Sequence, residues 1–215
     1  MTWKKKERLW YRAGHLLSTG LTNIFLRPKI IGKENIPKHG AVLIAPNHRS
    51  MLDVPCLGCA TFRPMRFMAK KDLFKNKFVK WYFETNGSFS VNNQDNDPVA
   101  VKKAIAILKD GDALVIFPEG KRNKTDQVGE LAPGIGFIAI KGSAPILPVG
   151  IAGLDKVIIR KLFGFIPIFT RAKIVIGLPI ISHLSSESKT SEVAKELLPK
   201  LQAELNDLYR KAKKL

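Results

Sequence analysis

Two short segments carry side chains whose types and spacing can do chemistry. In the first, Asn47-His48-Arg49-Ser50-Met51-Leu52-Asp53, an imidazole is followed five residues later by a carboxylate. If the chain turns back between them, Asp53 fixes the tautomer of His48. It also stabilises the imidazolium that forms when the other ring nitrogen takes a proton. No serine or cysteine nucleophile matches the pair, so it would act directly on a substrate hydroxyl as a general base, typically worth roughly 10² to 10⁴-fold. The second segment is Phe117-Pro118-Glu119-Gly120-Lys121-Arg122-Asn123. Gly120 allows close backbone approach, and the Arg122 guanidinium is a planar fork that matches phosphate. Lys121 and Lys124 add positive field, while Glu119 is placed to bind an acceptor hydroxyl or to hold Arg122.

Both segments follow short apolar runs, Ala41–Ala45 and Ala113–Phe117, of the kind that form strands buried on both faces. Ligands in open α/β sheets sit outside the carboxyl ends of such strands. After the first strand, Ser50 is a candidate cap for a helix starting near Met51, with Asp53 in its first turn. Before the second, Asp97 and Pro98 open a helix with Val101, Ile105 and Leu108 on one face, and Gly111 closes it. Further strands are expected at Ile30 to Gly32, Ile146 to Ile151 and Ala172 to Gly177. From Ser191 a helix follows with Val193, Leu197, Leu201, Leu205 and Leu208 on one face, kinked at Pro199. Strands alternating with helices predict a single α/β domain with a mixed, largely parallel sheet.

The chain has 215 residues and a formal net charge of +18, which calls for an anionic partner. No zinc-finger spacing, RNP-like motif or Arg-rich arm accompanies the charge, so nucleic acid is not expected and an anionic membrane surface remains. Cys56 and Cys59 are too few for a structural zinc site and read as reduced, packing cysteines. No run reaches the roughly 20 apolar residues of a spanning helix. Residues 1–28 combine Lys4, Lys5, Lys6, Arg8 and Arg12 with Trp3, Leu9, Trp10, Leu16, Leu17 and Phe25. This suits a helix lying in a membrane interface, or equally one that packs on the domain. The charge-free run Leu162–Phe169 between basic residues is open to the same two readings, bilayer insertion or core. His15, His39 and His183 have no chemical neighbours in sequence and read as structural.

His48 with Asp53 matches NHxxxxD, and Phe117 to Arg122 matches FPEGxR, in order and about 65 residues apart. Lys70–Phe74 and Ala144–Gly150 agree more weakly. On these motifs the chain resembles the glycerolipid acyltransferase family over roughly Ile30 to Gly177. Taken with the basic and apolar N-terminus, the expected organisation is an N-terminal interfacial segment, residues 1–28, and an acyltransferase domain, residues 29–215. The resemblance implies direct transfer from acyl-CoA or acyl-acyl carrier protein to 1-acylglycerol 3-phosphate, giving phosphatidic acid. His48 would be the base, Glu119, Gly120, Lys121 and Arg122 would hold the acceptor, Pro148 would shape the site, and no metal or cofactor would be needed. The implied location is the cytoplasmic face of a membrane. One departure bears on the acceptor: after Gly87, Asn93 stands where the family commonly has an arginine. Asn93 can hydrogen-bond phosphate without adding charge. The charge then comes from Lys70, Lys71, Lys102 or Lys103, or the acceptor is glycerol 3-phosphate or another lysophospholipid. The alternative of a different class is a non-catalytic protein that binds anionic lipid or nucleic acid through its charge.

Overall fold

Val42–Pro46 and Ala113–Val115 are buried at every position because each has a strand on both sides and helices above and below. The computed structural model describes residues 5–75, 77, 80–81, 83, 88–91, 97–154, 171–181 and 190–215. Trp3, Gly87, Asn93, the Leu162–Phe169 run and His183 lie outside the described residues, as do the side chains of Leu9, Trp10 and Lys70. In chain order the elements are α1 (Lys5–Phe25), β1 (Lys29–Ile31), β2 (Val42–Pro46), α2 (Asp53–Gly58), β3 (Met65–Lys70) and β4 (Phe89–Val91). They continue with α3 (Pro98–Lys109), β5 (Ala113–Val115), α4 (Gly134–Lys141), β6 (Ile146–Ala152), β7 (Lys173–Ile176) and α5 (Thr190–Lys214).

The sheet order is β1-β7-β6-β2-β5-β3-β4. Strands β2 to β6 all run parallel, and among the described strands β6 and β7 pair antiparallel. This is the mixed, largely parallel sheet expected. One apolar layer joins α3, α4 and α5 to the side of the sheet carrying Leu43, Leu114 and Ile146. The other joins α2 to the side carrying Ile44, Val115 and Phe67. The connection from β2 to β3 crosses one face through α2, and that from β5 to β6 crosses the other through α4, in the opposite direction along the sheet. Between them, the carboxyl ends of β2 and β5 are left open, which is where such sheets bind ligands.

Local chemistry accounts for most boundaries. The Asp97 carboxylate accepts from the Val99 and Ala100 amides at 3.0 and 3.2 Å, with Pro98 in the first turn of α3. Helix α5 buries Leu197, Leu201, Leu205 and Leu208 on one face as expected. Pro199, expected to kink it, sits on the exposed side without ending the helix. Two elements differ from the sequence reading. Helix α2 starts at Asp53 rather than near Met51, because the Asp53 carboxylate turns back onto the preceding amides. Strands β3 and β4 and helix α4 were not anticipated. Burial pushes the Cys56 thiol well up and the Cys59 thiol up to about 11, so both free cysteines are packing thiols.

Candidate active site

The site is built where β2 stops. The buried Asn47 side chain extends the strand by two bonds to β6: its amide donates to the Ile151 carbonyl at 3.0 Å and its carbonyl accepts from the Ile151 amide at 2.6 Å. This clamp fixes the point at which the chain leaves the sheet, one residue before His48.

His48 is then held on almost every side. Its backbone amide donates to Glu119 Oε1 at 2.7 Å, and its carbonyl accepts from the Asn123 amide at 2.8 Å. Its ring stacks on Phe117, with centroids 4.0 Å apart and planes at 27°. Nδ1 lies 2.8 Å from Asp53 Oδ2. Among the described residues nothing engages Nε2, and the side chain is 19% exposed. Asp53 itself is fully buried. Its Oδ2 also accepts from the Arg49 and Ser50 amides at 2.7 and 2.9 Å. The five-residue spacing therefore produces the predicted imidazole–carboxylate pair, with Asp53 Oδ2 receiving three donors. The acceptor nitrogen, Nε2, is the one that faces out.

The second segment meets the first across the β2–β5 pair. Gly120, at φ 65°, reverses the chain after Pro118-Glu119 in a conformation that favours glycine. Gly120, Lys121, Arg122 and Lys124 are exposed on this turn, so three cations stand beside the base with their head groups in solvent. Glu119 does something other than hold Arg122. While Oε1 takes the His48 amide, Oε2 takes the Gly129 amide at 2.7 Å, so the carboxylate ties the His48 loop to the segment beyond the turn. Pro148 lies inside β6, buried and in register with Ala45, and so shapes the sheet next to β2. Arg49 is buried and its guanidinium is turned inward, to the Thr125 carbonyl and the Tyr209 ring. His15 is buried between α1 and the segment carrying Gly58 and Phe62, with its pKa lowered by burial; His39 is exposed. Asn47 and Phe117 are the positioning residues that sequence reasoning left unassigned. Their signal was that they are the first residues of the two motifs, not any chemistry of their own.

Replacing Glu119 with glutamine should be costly, because an amide nitrogen must then face one of two backbone N–H groups. The expected loss is about 1–3 kcal/mol in urea unfolding, with reduced kcat. A variant of unchanged stability that loses only acceptor affinity would instead make Glu119 a substrate ligand.

This geometry, a carboxylate-oriented imidazole beside a cationic turn at the open ends of parallel strands, is equipped for proton removal next to an anionic group. The chain matches the family model described as Acyltransferase over residues 27–152. It is 30% identical to the 1-acyl-sn-glycerol-3-phosphate acyltransferase of Bacillus subtilis, over 79% of this chain and 83% of that protein. It is 28% identical to the Borreliella burgdorferi protein of the same name, over 80% and 71% of the two chains. Among solved structures it resembles the 1-acyl-sn-glycerophosphate acyltransferase PlsC from Thermotoga maritima, with a TM-score of 0.67 and 25% identity over 95% of this chain and 84% of that one. The chain belongs to the acyltransferase family and is an O-acyltransferase.

Proposed function

We propose that the protein transfers a fatty acyl group from acyl-CoA or acyl-acyl carrier protein to the free hydroxyl of 1-acylglycerol 3-phosphate, giving phosphatidic acid. The observation that carries the mechanism is His48, anchored at both backbone ends, one ring face and Nδ1, with Nε2 left facing out. Nε2 takes the acceptor's hydroxyl proton as its oxygen attacks the thioester carbonyl. The tetrahedral intermediate collapses, the C–S bond breaks, and the thiolate leaves with the proton returned by the imidazolium. Asp53 stabilises that imidazolium. Gly120, Lys121 and Arg122 hold the acceptor phosphate, with Asn93 adding a neutral hydrogen bond. Glu119 keeps their loop against His48. The names of the Bacillus and Borreliella relatives support this acceptor.

The reaction takes place on an anionic membrane surface, at its cytoplasmic face. Helix α1 buries Tyr11, His15, Thr19 and Thr22 against the domain while Leu16, Leu17, Leu21, Ile24 and Phe25 are 49–66% exposed. A helix that leaves a row of large apolar side chains exposed is suited to a lipid surface. No described helix is long and apolar enough to cross a membrane. In this reading α1 packs on the domain by one side and faces lipid with the other.

An acyl-transfer assay on anionic vesicles, across 1-acylglycerol 3-phosphate, glycerol 3-phosphate and lysophosphatidylcholine with both donors, tests the assignment. The first acceptor should be preferred. Preference for either of the others would overturn the acceptor, and Leu17→Glu with Ile24→Glu should release the protein from the vesicles.

A further inference from the structure

The family match ends at residue 152, yet α5 reaches back to both site segments. It lies directly on β6: a Cβ built on Gly150 would fall 2.3–2.6 Å from the backbone of Leu208 and Tyr209, so glycine alone permits this approach. The close docking brings the buried Tyr209 ring 4.9 Å from the Arg49 guanidinium carbon. Arg49 directly follows His48, and its own amide donates to the Asp53 oxygen that orients the imidazole. Neighbouring turns of the helix hold the other segment. Asn206 Oδ1 accepts from the Val128 amide at 3.2 Å, Gln202 donates to the Val128 carbonyl at 3.4 Å, and Lys213 pairs with Asp126 at 2.9 Å. That segment in turn supplies the Asn123 amide to the His48 carbonyl and the Gly129 amide to Glu119.

We propose that α5 is a brace for the catalytic pair and that Tyr209 is its central positioning residue, acting through Arg49. A desolvated guanidinium is attracted to an aromatic face. Here that attraction fixes the side chain next to the base and keeps its charge inside the protein, away from the substrate phosphate. Tyr209 touches no reacting atom; it sets where His48 and Asp53 sit. The inference rests on His48 acting as the base.

The test is a kinetic comparison of Tyr209→Phe, which keeps the ring, with Tyr209→Leu, which replaces it by a smaller apolar side chain. The leucine variant should lose about 10- to 100-fold in kcat with acceptor KM within about twofold, as expected of small misplacement at a reacting centre, while the phenylalanine variant, which gives up the hydroxyl but keeps the ring face over Arg49, loses clearly less. In a cycle with Arg49→Gln, the double variant should lose little more than the worse single one. Wild-type kcat in Tyr209→Leu, a phenylalanine variant as poor as leucine, or additive losses would each overturn the brace. If Tyr209→Leu does not fold, Asn206→Ala, half-buried on the same helix, gives the same reading: lowered kcat at unchanged KM supports the brace and wild-type kcat overturns it. His48→Ala separates the two levels. An active His48→Ala enzyme overturns both, whereas an inactive one beside a fully active Tyr209→Leu overturns only the brace.

Discussion

His48→Ala should lower acyl transfer by about 10² to 10⁴-fold, the range that a positioned general base supplies, while the protein still folds and binds vesicles. The expectation of retained structure comes from where the residue is anchored. Its amide and carbonyl bonds to Glu119 and Asn123 belong to the backbone and survive the substitution. What is lost is the ring, its stacking on Phe117 and the Nδ1 bond to Asp53. Vesicle binding, attributed to α1, draws on none of these. A kinetic assay alongside vesicle sedimentation and thermal unfolding checks all three points. Full activity in a folded variant would sink the mechanism.

Asp53→Asn should be nearly as damaging to the rate, for a reason specific to its surroundings. Oδ2 collects three donors, whereas Oδ1 is buried with no partner among the described residues. An asparagine that keeps its oxygen at the Oδ2 position must bury its NH2 where no acceptor waits. The opposite orientation sets NH2 against the Arg49 and Ser50 amides and favours the histidine tautomer that carries its proton on Nε2, unable to accept another. Either way the imidazolium loses its counter-charge, and kcat should fall by about 10² to 10⁴-fold, as when a triad carboxylate is made neutral. The folded state should also lose about 1–3 kcal/mol through the unsatisfied polar group. Steady-state kinetics and urea unfolding read the two losses separately. A variant with wild-type kcat would show that orientation alone, without charge, is enough.

The fold class was legible because buried parallel strands cannot be written any other way: Val42–Pro46 and Ala113–Val115 are apolar throughout, and the cap at Asp97 and the stripe from Leu197 to Leu208 mark their helices. Strand β3 was missed because Arg66 and Met68 alternate with its buried positions and the Arg66 guanidinium finds its carboxylate partner in Asp112, 46 residues away. Strand β4, three residues long, exists through its pairing with β3 and has little pattern of its own.

At the site, the sequence by itself determined the chemical groups and one contact. His48 and Asp53 are five residues apart, so a single turn suffices to join them and no distant element is needed. It determined equally that Gly120, Lys121 and Arg122 share one turn. Only the tertiary structure decided what the remaining groups do. Glu119 meets the His48 amide across 71 residues, Asn47 meets Ile151 across 104, and Arg49 meets Tyr209 on a helix beyond the family match. Whether a carboxylate or guanidinium faces substrate or the chain's own amides and rings depends on which strands lie side by side and which helix covers them. That is set by the packing of the whole sheet, and no local pattern of residues contains it.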